Sequence, residues 1–245
     1  MEKIRLAILS DLHIAGESEF PYGVDTRSNF LQALDLAVND RPDMLIITGD
    51  LCFREGDREV YVWIKKELDR TSLPYRVISG NHDDPAHLQE VFHPKKSLKN
   101  NEIYYSEKIH GHHFIFCDST TAELSKDQWH WLKEEIEASG DKVFIFIHHP
   151  PFKAAVPYMD NHHAFKQMEK MEEFIGNFDK NLFFLCGHYH CEKTIIRDQS
   201  MTFITPSTFF NLDDRHEDFS ILNKTPSFRR LVISADQIET GIFSV

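Results

Sequence analysis

Five short polar clusters carry the residue types that chemistry needs: Asp11-Leu12-His13, Gly49-Asp50, Gly80-Asn81-His82-Asp83, His148-His149-Pro150-Pro151 and Gly187-His188-Tyr189-His190. From these, Asp11, His13, Asp50, Asn81, His148, His188 and His190 offer carboxylate, imidazole and amide oxygen, with no thiolate required. A mixed nitrogen and oxygen set suits Zn, Mn or Fe better than Mg or Ca, which favour all-oxygen shells, or Cu(I), which favours sulfur. If Asp50 bridges, two metals can each take four protein ligands. Asp-x-His and His-x-His each put two donors on one side of an extended segment. Two metals about 3.5 to 4 Å apart acidify a bridging water and neutralise charge on an in-line phosphorus transition state, which is phosphoester hydrolysis. His82, next to Asn81, would face substrate from the metal edge, donating a proton to the leaving oxygen or a hydrogen bond to a phosphoryl oxygen.

Singly, Asp-x-His or Gly-Asp carries little weight, because both more often form turns or helix caps. The joint set is another matter, since coincidence would have to place seven donors directly after strands. A structural zinc site from Cys186, His188, His190 and Cys191 is the rival, but Cys186 falls on an apolar strand and reads as a small core residue. His149 follows a candidate ligand and is read as meeting substrate or a water just beyond the ligands. His162, His163 and His216 read as solvated loop histidines, and Trp129 and Trp131 as helix anchors.

These clusters need a frame that brings them together. Ile4 to Leu9, Met44 to Thr48 and Tyr75 to Ser79 read as strands, alternating with helical faces at Phe30, Leu34, Ala37 and Val38 and at Val60, Trp63, Ile64 and Leu68. Pro85 opens a short helix ending near Phe92. Ile103 to Ile109 and His112 to Cys117 then form a hairpin that starts a second sheet. Ser125 to Gln128 fits a capping box for a helix to about Ala138, followed by the buried strand Lys142 to Ile147. A helix from about Ala164 to Phe174 precedes the strand Leu182 to Cys186. From Thr194 onward, Thr194 to Arg197, Met201 to Thr205, Arg230 to Ser234 and Ile238 to Phe243 read as successive antiparallel strands, with Phe209 to Pro226 as a long loop. Ligands in open α/β sheets bind at the carboxyl ends of strands, so clusters far apart in sequence can converge there. Glycine before Asp50, Asn81 and His188 would let the backbone turn sharply.

Composition bounds the rest. The 245 residues are 41% apolar and read as one α/β domain over 1–245. The net charge of −12, from 27 basic and 39 acidic side chains, disfavours nucleic acid as a bulk ligand. The 15 histidines are in excess, as a metal protein would need. The four cysteines show no disulfide spacing, no apolar stretch approaches a membrane span, and Leu6 to Leu9 is too short for a signal-peptide core, so a cytoplasmic location is expected. Oligomeric state, homo-oligomer included, is left open.

In these motifs the sequence resembles the calcineurin-like metallophosphoesterase superfamily, whose signature runs D-x-H, G-D, G-N-H-[DE], H-x-P and G-H-x-H in that order. The resemblance, spanning residues 6 to 190, implies a four-layer α/β/β/α sandwich of two mixed β-sheets with a dimetal centre. It implies a first metal on Asp11, His13, Asp50 and His190 and a second on Asp50, Asn81, His148 and His188. Thr205-Pro206-Ser207-Thr208 with Phe228 to Phe243 is similar to the tail of class III cyclic-nucleotide phosphodiesterases. The absence of Asp-Arg-Gly after Gly49-Asp50 departs from the protein serine/threonine phosphatases.

The expectation is therefore a two-metal (Mn, Fe or Zn) phosphoester hydrolase that attacks a small phosphodiester, a 3′,5′-cyclic nucleotide favoured, through a metal-bound hydroxide. His82 is the expected catalytic residue, and Asn81, His82, His149, Thr208 and Phe209 the expected substrate contacts. Phe209 and Phe210 would offer an apolar face to a base, and Ser207, Thr208 and Asn211 hydrogen bonds; the alternative is that this segment tucks onto the core. A phosphomonoesterase or nucleotidase is the nearest rival. A nuclease is disfavoured by charge, and a scaffold without metals by the intact donor set.

Overall fold

The computed structural model describes residues 2–92 and 98–245. Along the chain run β1 (Ile4–Leu9), α1 (Thr26–Asn39), β2 (Met44–Thr48), α2 (Arg58–Arg70), β3 (Tyr75–Ile78) and α3 (Pro85–Phe92). Two short strands, β4 (Leu98–Lys99) and β5 (Glu102–Ile103), lead into β6 (Tyr105–Ile109), β7 (His112–Phe116), α4 (Lys126–Ala138), β8 (Lys142–Phe146), α5 (Pro157–His162), α6 (Met168–Ile175) and β9 (Asn181–Cys186). The remainder is all strand: β10 (Lys193–Arg197), β11 (Ser200–Ile204), β12 (Asn211–Leu212), β13 (Ile221–Asn223), β14 (Ser227–Ile233) and β15 (Ile238–Ser244).

Helix ends follow their cap residues. Asp25 accepts from Ser28 N to start α1, whose Phe30, Ala33, Leu34 and Ala37 are buried at helical spacing. Ser125 caps α4 by accepting from Gln128 N. The reciprocal half of that capping box is not made, because the Gln128 amide instead brackets the Asp118 backbone, accepting from its N–H and donating to its carbonyl.

Two mixed sheets result, in strand orders β15-β14-β1-β2-β3 and β10-β11-β9-β8-β7-β6. Each has a run of parallel strands, β1 with β2 and β3, and β7 with β8, β9 and β11; antiparallel strands flank it on one side in the first sheet (β14, β15) and on both sides in the second (β6, β10). Side chains alternate across the second sheet with the period of two that a strand imposes. Phe114, Phe116, Phe144, Phe146, Phe183 and Leu185 face the first sheet in one core. Ile115, Val143, Ile145, Leu182 and Phe184 point the other way, into a core shared with Trp129, Leu132 and Ile136 of α4 and Met171 of α6. The outcome is the four-layer α/β/β/α sandwich. Between the sheets, rings opposite one another in register stack: Phe116 on Phe146 at 4.9 Å and Phe144 on Phe183 at 5.1 Å.

Three expectations need correction. The helix expected from about Ala164 to Phe174 is α6, which begins only at Met168, because residues 166 and 167 are pinned across to the 122–124 loop: Lys166 N donates to Ala122 O, and Gln167 Oε1 accepts from Leu124 N; the short helix α5 before it has no counterpart in the sequence reading. The last four long strands do not form one antiparallel run. β10 and β11 join the second sheet, where β11 lies parallel to β9, while β14 and β15 cross to the first, where β14 pairs with β1 and β15 with β14. The long 209–226 loop also contains the small hairpin of β12 and β13.

Candidate metal centre

All five motif clusters meet at one end of the sandwich, where both sheets present the carboxyl ends of their parallel strands. Backbone hydrogen bonds lay the loops side by side: Asp11 N donates to Gly49 O, His13 N to Asp50 O, and Gly187 N to His148 O. Five site residues adopt the left-handed backbone region, Asp11 (φ 52), His13 (φ 44), Asp50 (φ 51), His188 (φ 66) and His190 (φ 48). Each costs on the order of 1–3 kcal/mol, a load that persists only where the surroundings impose it and that clusters at functional sites.

The three glycines do different jobs. Gly49 takes φ 97 and needs its freedom to turn. Gly80 and Gly187 have no such φ; they are required because there is no room for a side chain. A Cβ on Gly80 would fall 2.3 Å from Asp50 Oδ1, and one on Gly187 1.8 Å from Ser10 Oγ and 2.7 Å from Asp11 Oδ2. The expected sharp turn thus holds for one of the three, and close packing against a carboxylate explains the other two.

The donor atoms form two groups. Asp11, His13 and His190 lie together, as do Asp50, His148 and His188, with all donor atoms in each group within 4.8 Å of one another. Asp50 Oδ2 sits between them, 3.6 Å from His13 Nε2 and 3.3 Å from His148 Nε2. His13 Nε2 and His190 Nε2 are 3.0 Å apart, and Asp11 Oδ1 is 3.4 Å from the latter. His82 completes a third group with His13 and Asp50, and Asn81 lines the same cavity.

Outer contacts set each ring. The Nδ1–H of His148 donates to Thr48 O (2.8 Å) and that of His190 to Phe210 O (3.0 Å), which turns Nε2 inward in both. His188 is reversed: its Nε2–H donates to His163 O, leaving Nδ1 for the site. His188 N in turn donates to both oxygens of Asp11, and His82 N to Asp50 Oδ1.

Charge is concentrated here. Burial works to raise the Asp11 carboxyl, but His190 and His148 outweigh it and hold it at about 2. Burial opposes ionisation of Asp50 too, yet His148 and His13 keep it well below the ordinary carboxylate range. Burial drives His13 and His188 down to about 3, so both are neutral and able to donate a lone pair. His148 goes the other way, to about 9, because the Asp50 and Asp11 carboxylates outweigh its burial. Behind the centre, buried Asp83 accepts from Leu51 N, Gly80 N and the Tyr61 hydroxyl; burial and the Asp50 charge raise it to about 7.

The arrangement fits a pair of metal ions. His148 Nε2 is buried and makes no directed hydrogen bond, and the Nε2 atoms of His13 and His190 face one another at 3.0 Å with the Asp50 and Asp11 carboxylates beside them at 3.6 and 3.4 Å. Two carboxylates and four imidazoles at short range form a donor set that protein groups alone leave unsatisfied.

Expected substrate contacts separate into two sets. Asn81, His82 and Phe209 line a cavity of about 190 Å³ together with His13, Asp50, His188 and His190. His149 does not: its Nδ1 is 3.0 Å from Ser119 Oγ, and its ring packs at 4.1 Å behind His188. Thr208 is wholly buried, and its N–H donates to Ser10 O. The Ser207 hydroxyl donates to Asp11 O, and Asn211 bonds Ser207 N, Asn223 and Thr225. Phe209 is 2% exposed and packs at 5.3 Å from His13. Ser207, Thr208 and Asn211 therefore brace the centre from below, held by Asn29 of α1, which donates to Thr208 O and Phe209 O, while Phe209 and Phe210 present ring surface to the cavity.

Sequence reasoning missed the upper wall of Tyr22, Phe53, Tyr158 and Phe219, and His163, expected as a solvated loop histidine, also lines the cavity and holds the His188 ring through its carbonyl. None lies in a motif, and only their shared aromatic character could have drawn notice. Among the described residues lining the cavity there is no lysine or arginine.

A family model described as calcineurin-like phosphoesterase matches residues 4–192. A protein of Fibrobacter succinogenes named as a probable cyclic nucleotide phosphodiesterase is 28% identical over 99% of this chain and 95% of its own length. A probable glycerophosphodiester phosphodiesterase GpdQ of Arcobacter nitrofigilis is also 28% identical, over 85% of this chain and 81% of its own. Among solved structures, a dimetal phosphatase from Danio rerio superposes with a TM-score of 0.68 over 98% of both chains at 14% identity, a likeness of fold.

Proposed function

The chain belongs to the calcineurin-like phosphoesterase family and is a phosphoester hydrolase, and from that premise we propose that it is a dimetal phosphodiesterase acting on a small diester, a 3′,5′-cyclic nucleotide favoured. The observation that carries this reading is the convergence of two donor groups on Asp50, with His82 at their edge. Residues 1–245 are read as one domain, since both sheets supply donors to the same centre.

Asp11, His13, Asp50 and His190 would hold one ion, and Asp50, Asn81, His148 and His188 the other, with Mn, Fe or Zn best suited to the donors. When bound, such ions supply positive charge to the phosphoryl group and acidify the attacking water. The chain does the remainder. Thr48 O, Phe210 O and His163 O fix which nitrogen of His148, His190 and His188 faces inward. Arg54 O accepts from His82 Nδ1–H at 2.7 Å, so in the imidazolium form, with both ring nitrogens protonated, Nε2–H is the donor that hydrogen-bonds a phosphoryl oxygen or passes its proton to the leaving alkoxide, leaving the neutral Nδ1–H ring behind. Asn81 shares the cavity and is placed to contact the phosphate.

The lining favours a diester over a monoester. A monoester brings about two negative charges at neutral pH and gains from arginine or lysine counter-charge, which the described lining lacks. A diester brings one. The relative named for cyclic nucleotides and the one named for a glycerophosphodiester both agree with diester chemistry. The test is metal-stripped protein reconstituted separately with Mn, Fe, Zn and Mg and assayed on a cyclic nucleotide, an aryl phosphodiester and an aryl phosphomonoester. Turnover of diesters above the monoester is expected; preference for the monoester in every metal form would overturn the reading.

A further inference from the structure

The mouth of the metal cavity is aromatic. Tyr22 stands on the short 3₁₀ turn Pro21–Gly23, Tyr158 in the first turn of α5, and Phe219 in the loop between β12 and β13. Three segments distant in sequence bring these rings together, with centroids 5.6 Å apart for Tyr22 and Phe219 and 5.8 Å for Phe219 and Tyr158. Tyr22 is 54% and Phe219 41% exposed, unusual for large rings beside a polar site. Both line the cavity that holds His13, Asp50, His82 and His190.

The mouth is also held in place. Tyr22 itself has a left-handed backbone (φ 52), and its carbonyl accepts from Lys224 Nζ at 2.5 Å across the long loop. Asn29 Nδ2 donates to Lys224 O, so α1 anchors the same loop. Phe210 supports both exposed rings from beneath, at 5.3 Å from Tyr22 and 5.8 Å from Phe219. Isolated apolar surface residues need no ligand, but a strained, cross-braced aromatic collar continuous with a reaction centre is a prepared surface.

We propose that Tyr22, Tyr158 and Phe219 form a base-binding collar, which takes the planar heterocycle of a nucleotide diester while its phosphate rests at the metal centre. This rests on the phosphodiesterase reading above and sharpens its substrate class. Phe219 meets Tyr158 edge to face and Tyr22 at a tilt of 40°, arrangements short of face-to-face stacking, and every nucleobase has a π-face to stack on an aromatic face. A glycerol or ethanolamine headgroup, small and polar, would gain nothing from the same wall. The role expected for Phe209 and Phe210 thus passes to the rings above them.

The test uses two probes, 3′,5′-cyclic AMP and the base-free 1-O-methyl ribose 3′,5′-cyclic phosphate. Binding of each to Mn-loaded wild type, Tyr22→Leu and Phe219→Leu is measured by calorimetry, with hydrolysis followed in parallel. Leucine keeps apolar bulk and removes the ring, Phe219→Leu without loss of any polar atom, and melting temperature checks the fold. Wild type should bind the nucleotide at least about tenfold more tightly than the base-free probe, and each variant should bring that ratio toward one. Equal affinities in wild type, or losses of the same size on both probes, would overturn the collar. Ring-dependent nucleotide binding without hydrolysis of either diester would support the collar while overturning the phosphodiesterase reading.

Discussion

Gly80 lies against the Asp50 carboxylate so closely that a Cβ there would be 2.3 Å from Oδ1 and 2.4 Å from Asp50 N. The glycine of the Gly-Asn-His-Asp cluster is thus part of the seat for the residue that both donor groups share. It links the end of β3 to the end of β2 through shape.

Gly80→Ala is expected to push Asp50 aside and cost about 1–3 kcal/mol of stability by overpacking. Activity should fall about 100-fold, the usual result of misplacing a reacting group by about 1 Å. Denaturant unfolding and turnover on an aryl diester check both. A variant with full activity would mean that Asp50 tolerates displacement.

His82→Ala is expected to keep its metal content and lose roughly two to four orders of magnitude in kcat. The loss should be greater for an alkyl diester than for a nitrophenyl diester, whose leaving group needs no proton. Equal losses on the two would assign His82 to holding the phosphoryl group instead.

Tyr61→Phe removes one hydroxyl that donates to Asp83 Oδ1 and accepts from Asp84 N. Asp83 still has Leu51 N and Gly80 N, so the loop should stay in place while stability falls by about 1–3 kcal/mol. A shifted denaturant midpoint with kcat reduced far less than in His82→Ala is the expected pair of results. A collapse of kcat to the His82→Ala level would instead make the Asp83 network part of the chemistry.

Asn211→Ala tests whether the segment after β11 is a brace. Its amide bonds Ser207 N, Asn223 Oδ1 and Thr225 O away from the cavity mouth. A lower melting temperature with KM for a cyclic nucleotide unchanged within about twofold is expected. A large rise in KM alone would return Asn211 to substrate binding.

The donor clusters were legible because each is local in sequence and each follows an apolar strand. Asp11, Asp50, Asn81, His148 and His188 need only the parallel strands of an α/β sheet to converge. What was hidden depends on contacts between distant segments. The need for glycine at 187 comes from Ser10, just past β1 of the other sheet. Asn29 on α1 decides that Thr208 and Phe209 turn inward, and no pattern near 208 records it. Tyr22 and Phe219 gain meaning only from each other, across almost the whole chain. Strand periodicity likewise marks β10, β11, β14 and β15 as strands but does not say which sheet each joins.

The central claim is that one carboxylate serves two metal ions. Metal analysis on variants approaches it: Asp50→Ala should lose both ions, whereas Asn81→Ala, which removes one neutral oxygen, should mainly weaken one. The most direct measurement is a crystal structure of the Mn-loaded protein with data collected at the metal's absorption edge. Two anomalous peaks about 3.5 to 4 Å apart, with Asp50 contacting both, are expected. A single peak, or two peaks with Asp50 touching neither or only one, would contradict the account.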